Sequence, residues 1–358
     1  MKIDLGEDVE KSVGELGEFG IIKLIHSLIE QQNVLLSKNV TLGIGDDAAA
    51  FRPKAGLETL VTCDSVVEGR HYLARFISPF EVGRRAMALN ISDIGAMGGK
   101  PTYALVSLGL RPDTPVADIV AIYRGFFEEL SPLDACIIGG NVTRTDGPLF
   151  VDITLMGEVE TDKMMRRSGA RPGDSVLVTG YPGQASAGLQ LLLKEPSISK
   201  RVKENPLIKA YILPSHRALE GQAVAGTGLA TAMIDTSDGL LGDLGHICEQ
   251  SRTGVLLDLN KLPISPHLKE AALRLGLDPI QLALGQSDDY ELIITCPQTA
   301  VEQIRWAISQ VSNVIVTQIG QITEPVHGFR LLWPDGALEE VRPAGWDHFS
   351  ETRHGPSS

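Results

Sequence analysis

Acidic side chains in this sequence recur at turns and element ends, beside glycine and alanine, rather than along charged helical faces. In Gly43-Ile44-Gly45-Asp46-Asp47-Ala48-Ala49 two adjacent carboxylates repel each other unless a cation lies between them, and the small flanks let a bulky anion approach the backbone. Thr62-Cys63-Asp64 reads as the carboxyl end of a short strand running into Glu68-Gly69-Arg70-His71, and strand ends are where α/β sites collect. Asn90 and Asp93 lie three apart, hence on one helical face, in a stretch otherwise apolar and small, where a buried Asp needs a partner. In Ile234-Asp235-Thr236-Ser237-Asp238-Gly239, Asp235 closes an apolar strand and Asp238 enters the first turn of the next helix. Each cluster alone has an ordinary explanation, a solvent turn at Asp46-Asp47 or a dipole-facing acid at Asp238. Taken together, Asp46, Asp47, Asp64, Asp93, Asp235 and Asp238 exceed what caps and turns require. Hard oxygen donors of this kind suit Mg²⁺, which takes one or two carboxylates per ion and completes its octahedron with water and substrate phosphates. Several ions and a phosphate-bearing ligand are therefore expected.

Other phosphate chemistries leave no signature. Gly98-Gly99-Lys100 runs into Pro101-Thr102 and forms no P-loop, Gly43-Ile44-Gly45 lacks the third glycine of a dinucleotide fingerprint, and protein-kinase motifs are absent from the sequence. The formal charge of −13, from 32 basic and 45 acidic residues, opposes broad attraction to nucleic acid or to an anionic membrane. No apolar run approaches a membrane span of roughly 18 residues, and the first residues are acidic where a signal peptide would be basic, so a cytoplasmic protein is expected. Cys63, Cys136, Cys248 and Cys296 are far apart and read as packing residues.

These clusters must be positioned by a mixed set of elements. Length favours about two domains. An amphipathic helix is expected over 16–32, a strand over 59–63, and a long helix over 80–97, capped by Ser78-Pro79 and ended by Gly98-Gly99. A strand at 103–110, a helix at 115–130 and strands at 135–138 and 149–159 complete an α+β N-terminal domain over 1–162. The polar, turn-rich segment 166–174 reads as the crossing into an α/β C-terminal domain over 163–350, with a tail at 351–358. There, strands are expected at 175–179, 231–234, 255–259, 290–295 and 314–319, and helices at 184–193, 215–225, 239–250 and 301–311.

The ordered strings Gly45-Asp46-Asp47-Ala48, Thr62-Cys63-Asp64, Asn90-Ile91-Ser92-Asp93, Gly139-Gly140-Asn141, Arg167-Ser168-Gly169-Ala170, Asp235-Thr236-Ser237-Asp238, Asp288-Asp289-Tyr290-Glu291 and Gly345-Trp346-Asp347 resemble the thiamine-monophosphate kinase family, within the superfamily of aminoimidazole ribonucleotide synthetase. The resemblance spans almost the whole chain. It implies that two-domain architecture, a homodimer paired through the N-terminal sheet, and direct in-line transfer of the γ-phosphoryl group of ATP to thiamine monophosphate. Carried over, it makes Asp46, Asp47, Thr62, Cys63, Asp64, Asp93, Asn141, Asp235 and Asp238 magnesium ligands, with Asp93 and Asp235 at the centre of the reaction and Cys63 contributing a backbone carbonyl. Tyr123, Gly140, Asn141, Arg167 and Ser237 would contact ATP, and His71, Asp288 and Trp346 the thiamine phosphate, whose thiazolium is attracted by an aromatic face and a carboxylate. Three positions depart from the family pattern: Asn141 stands where Asp is usual, Asp288 where Glu is, and Cys63 where Thr is common. Two rivals remain, a sister enzyme of the superfamily with another acceptor and a non-catalytic nucleotide-binding homologue. The tail, lacking cysteine, speaks against the hydrogenase-maturation branch.

Overall fold

Residues 6–32, 39–194 and 204–342 are described by the computed structural model. Helix α1 (Val13–Gln32) kinks at Gly17 and buries Ile21, Leu24, Ile25, Leu28 and Ile29 from its apolar stripe. A small ribbon of β1 (Val40–Leu42) and β2 (Ala50–Phe51) carries the Asp46-Asp47 loop between its strands. Next come β3 (Leu57–Val67), α2 (Pro79–Ala96), β4 (Lys100–Leu110), α3 (Val116–Leu130), β5 (Cys136–Arg144) and β6 (Phe150–Glu160), which build a four-stranded sheet of order β3-β6-β4-β5. β6 runs antiparallel to both β3 and β4, while β4 and β5 are parallel.

α2 starts at a capping box: the Ser78 N–H donates to the Glu81 carboxylate at 2.7 Å, the Ser78 hydroxyl accepts from the Glu81 N–H at 3.5 Å, and Pro79 opens the helix. α2 is buried almost all the way round, because it is covered on every side, by the sheet, by α3 and by the second domain.

The two faces of this sheet are chemically unlike. Alternation along β3 turns Leu60, Thr62, Asp64 and Val66 inward, toward α2, and leaves Val61, Cys63 and Ser65 on the outer face. Cross-strand register sets Ser65 opposite Asp152, Asp152 opposite Ser107, and Ser107 opposite Asn141, so all four share the outer face. Phe51 of the β1-β2 ribbon covers one corner of it, with its ring 4.7 Å from that of Tyr103.

After the crossing at 161–174 come β7 (Ser175–Thr179), α4 (Gln184–Lys194), α5 (Pro206–Ile212), α6 (Ala218–Thr227), β8 (Ala232–Asp235), α7 (Leu240–Ser251) and β9 (Gly254–Asp258). They are followed by α8 (Pro266–Leu275), α9 (Pro279–Leu284), β10 (Leu292–Cys296), α10 (Val301–Ser309), β11 (Val316–Thr323), β12 (Phe329–Leu332) and β13 (Leu338–Glu340). Among the described residues the strands form a seven-stranded sheet of order β13-β12-β9-β11-β7-β10-β8, antiparallel except for β12 on β9. β7 and β10 are buried along their whole length, which is why their apolar runs are unbroken rather than alternating.

β3 outruns the expected 59–63, so Asp64 lies within a strand rather than at its end, because β6 pairs with it residue by residue as far as Val67. The strand expected at 135–138 likewise continues through Gly139-Gly140-Asn141 along β4. The tail at 351–358 lies outside the described residues.

The domains meet where α2 crosses α6. A Cβ on Gly95 would stand 2.5 Å from the Ala218 Cα, and one on Gly221 would overlap the Gly95 carbonyl, so only glycine permits this approach.

Candidate active site

Two domains contribute to one acidic cleft. From β3, Thr62 and Asp64 face α2, where Asn90 and Asp93 lie nearly one turn apart. The Thr62 hydroxyl donates to the Asp93 carboxylate, and the Asn90 carbonyl oxygen accepts from the Asp64 N–H at 3.2 Å. Asn90 is held in turn by its own amide, which donates to the Ala86 carbonyl at 3.0 Å. The neighbouring Ser92 turns toward the other domain and donates from its hydroxyl to Asp235, the last residue of β8, at 2.6 Å. Thr62, Asp93, Asp235, Arg167 and Ser168 are among the residues lining a cleft of about 420 Å³ between the domains.

The electrostatics are those of buried, mutually repelling acids. Burial, then the Asp93 charge, pushes the Asp64 carboxyl up to about 6, with Asp152 adding to the shift. Burial also raises Asp93, and Asp235 reaches about 7 through burial and then the Asp93 charge. Arg167, exposed at the cleft, is the cation that acts against both shifts. Asp243 rises to about 8, first by burial and then through the charge of Asp235; its carboxylate accepts the N–H groups of Asp238 and Gly239, each at 3.0 Å. Ligand atoms of Asp238, Asp243 and His246 lie within 4.8 Å of one another.

The structure thus gathers Thr62, Asp64, Asp93, Asp235 and Arg167, with Ser237 and Asp238 on the turn directly after β8. Others it places elsewhere. Cys63 and Asn141 lie on the outer face of the first sheet, since alternation separates Cys63 from its neighbours and register aligns Asn141 with Ser107. Gly140 adjoins Asn141 on β5, where a Cβ would overlap the Val106 carbonyl. Asp46 and Asp47 are exposed on the ribbon loop, joined by the Asp47 N–H donating to the Asp46 carboxylate at 2.9 Å. Tyr123, expected near the nucleotide, is buried in the N-terminal core: it lies on the apolar stripe of α3, its ring 5.2 Å from that of Phe126. His71 is tied to its own turn, its Nδ1 accepting from the Val67 N–H at 3.0 Å. Asp288 is paired with Arg85 of α2, and Trp346 lies outside the described residues.

Sequence reasoning missed Ser92, Asp152 and Asp243. Ser92 adjoins Asp93 on a helix of apolar residues and so carried a readable sign, whereas Asp152 fills an ordinary outward position in the alternation of Val151, Ile153 and Leu155 and carried none. Asp243, an acid in the first turn of α7, carries no mark in the sequence that separates it from a dipole-facing residue.

The chain matches AIR synthase related protein, N-terminal domain, over residues 45–159 and AIR synthase related protein, C-terminal domain, over residues 171–331. It is 35% identical over 337 residues to thiamine-monophosphate kinase of Escherichia coli (strain K12), covering 93% of this chain and 98% of that one. Among solved structures, thiamine-monophosphate kinase from Stenotrophomonas maltophilia K279a superposes with a TM-score of 0.77 at 32% identity, covering 86% of this chain and 94% of that one. AaThiL complexed with AMPPCP and TMP gives a TM-score of 0.71 at 33% identity, covering 94% of this chain and 98% of that one. With its acids converging in the cleft and this similarity running through both domains, the chain belongs to the thiamine-monophosphate kinase family.

Proposed function

We propose that this protein transfers the γ-phosphoryl group of ATP to the phosphate of thiamine monophosphate, giving thiamine diphosphate and ADP. The observation that carries the reading is the convergence of Asp64 and Asp93 from one domain with Asp235 from the other, beside Arg167, in a cleft sized for small phosphate-bearing molecules. Donor and acceptor are both anions, and at a few ångströms in a partly dry cleft their repulsion amounts to roughly several kcal/mol.

The donor set fits Mg²⁺: hard carboxylate oxygens, crowded enough that burial and mutual charge hold Asp64 near 6 and Asp235 near 7. We assign the ions to Thr62, Asp64, Asp93, Asp235 and Asp238, and leave Asp46, Asp47, Cys63 and Asn141 outside this centre. Bound there, Mg²⁺ would supply charge neutralisation for the two phosphates. The chain's own contribution is position. Ser92 and Thr62 orient Asp235 and Asp93, Arg167 offers its guanidinium to phosphate oxygens, and Ser237, on the turn after β8, offers its hydroxyl to the nucleotide. No strong general base is required, because the attacking atom is already a phosphate oxygen; transfer is direct and in line, without a phosphoenzyme.

The outer face of the first sheet supports a homodimer, since Val61 is 62% exposed there with Leu105 and Met156 on the same face. No helix among the described residues is long and apolar enough to cross a membrane. We assign the protein to the cytoplasm, where ATP and Mg²⁺ are supplied.

Measuring ADP release with thiamine monophosphate as sole acceptor tests this reading. ADP and thiamine diphosphate are expected in equal amounts, with none when EDTA replaces Mg²⁺. ADP appearing only with some other acceptor would make the protein a sister enzyme, and none with any acceptor would make it a non-catalytic homologue; either overturns the proposal.

A further inference from the structure

Arg85 leaves α2, a helix of the first domain, and enters the second, where it is 3% exposed. Its guanidinium donates to Oδ2 of Asp288 and to the Tyr211 carbonyl oxygen, and lies 5.1 Å from the centroid of the Tyr211 ring. Its Nε is buried without a hydrogen-bond partner. Withdrawing a guanidinium from water carries a desolvation cost that the Asp288 charge has to offset, a demand that packing among Ala86, Met87 and Ala88 does not impose. The pair is lopsided: Arg85 is dry, whereas the Asp288 side chain keeps 30% of its exposure.

The segment that carries Asp288 is joined to the acid turn. Tyr290 holds a left-handed backbone conformation, φ 53°, unusual for a bulky residue, and its N–H donates to the Thr236 carbonyl at 2.8 Å. Thr236 follows Asp235 directly, and Thr236 also donates its N–H to the Glu291 carbonyl at 2.7 Å, so Tyr290 and Glu291 are stitched to the acid turn. The buried Tyr290 phenol senses the charges of Asp288, Arg85, Asp235 and Asp64 together.

Building on the thiamine monophosphate reading, we propose that Arg85 is a positioning residue for the acceptor: it clamps Oδ2 of Asp288 and leaves Oδ1 for the cationic half of thiamine monophosphate. The pairing also distinguishes Asp288 from the metal-holding acids. Without its guanidinium partner, Asp288 would be a bare carboxylate on the segment hydrogen-bonded to the acid turn, available to any divalent cation. With it, the local charge is balanced and the site favours a large, weakly hydrated cation carrying its own phosphate.

The test is steady-state kinetics on Arg85→Lys, Arg85→Met, Asp288→Asn and the Arg85→Met/Asp288→Asn double variant, with ATP and thiamine monophosphate varied in turn. Arg85→Met and Asp288→Asn should each raise the acceptor KM about tenfold, with the ATP KM within about twofold. The double variant should be no worse than the poorer single one, because Arg85 acts through Asp288. Arg85→Lys, which keeps the charge but loses the two-pronged fork, should fall between, and it decides the matter if Arg85→Met does not fold. An acceptor KM unchanged in Arg85→Lys and Arg85→Met, with only the melting temperature or the ATP KM moved, overturns the assignment, as do multiplicative effects in the double variant. Wild-type protein inactive toward thiamine monophosphate would refute the proposed function itself, whereas active wild type with unmoved variants refutes only the role of Arg85.

Discussion

Replacing Asp235 by Asn asks whether the acidic cleft is under charge strain when no cation is bound. Asp235 is 2% exposed at the end of β8, and burial followed by the Asp93 charge pushes its carboxyl up to about 7. The folded protein therefore keeps a proton that the unfolded chain, with an ordinary value of about 3.9, gives up. Stability present at low pH is then lost as pH rises from about 4 through about 7, the reverse of a salt-bridged carboxylate. Between pH 5 and 7 this covers two pH units at ~1.4 kcal/mol each, or about 3 kcal/mol. Asn preserves the shape and can still accept the Ser92 hydroxyl without ionising. At roughly 2 cal/mol/K of unfolding entropy per residue, a chain of 358 residues converts 3 kcal/mol into about 4 °C. In thermal melts with EDTA, the midpoint of Asp235→Asn relative to wild type should therefore rise by about that amount between pH 5 and pH 8. Adding Mg²⁺ at pH 8 should favour the wild type, which keeps the carboxylate ligand. A margin that stays constant or shrinks with pH would refute the argument that burial and the Asp93 charge hold Asp235 protonated.

Asp93→Asn should cut turnover by roughly two orders of magnitude while changing ATP affinity only a few-fold, because the loss falls on charge balance between the two phosphates; unchanged turnover would remove Asp93 from the centre. Gly221→Val should lower the melting midpoint by an amount equivalent to about 1–3 kcal/mol, since a side chain there drives into the Gly95 carbonyl, and turnover should fall with it as Asp93 and Asp235 separate. Asp243→Ala should raise the Mg²⁺ concentration needed for half-maximal turnover, because it frees the Asp238-Gly239 turn that its carboxylate holds at 3.0 Å; an unchanged Mg²⁺ dependence would make Asp243 purely structural.

Much of this site was legible because its residues break local rules. Asp93 on an apolar helix and Asp235 at the end of an apolar strand stand where a carboxylate is expensive, and expense without an evident local partner points to something distant. The long helices were readable for a similar reason: the capping box at Ser78 and the apolar stripe of α3 act within a few residues. Pairing across the chain was not. The length of β3 depends on β6 ninety residues later, and with it whether Asp64 ends a strand or lies within one. Face was equally hidden, since only the register through Asp152 and Ser107 shows Asn141 on the outer side of the sheet. Glu129 makes the same point from another direction. It reads as a solvated acid beside Glu128, yet it is 8% exposed, held by Arg84 at 2.5 Å and by His216 of the second domain at 3.5 Å.

What makes the cleft workable is the position of α2. Successive residues on a helix point about 100° apart, so Ser92 and Asp93 must address different neighbours. Asp93 turns to Thr62 on β3, Ser92 to Asp235 on β8, and Arg85, two turns earlier, reaches Asp288 on the second domain. One helix therefore sets the spacing between the acids of both domains and the acceptor-side carboxylate. Such a rod is useful only if the second domain cannot slide along it. The crossing at Gly95, Ala218 and Gly221 meets that need, because backbones in direct contact leave no flexible side chain to absorb a shift. Displacements of about 1 Å in a positioning site can cost a hundredfold in rate, so the missing side chains at this crossing matter to the chemistry as much as the carboxylates do.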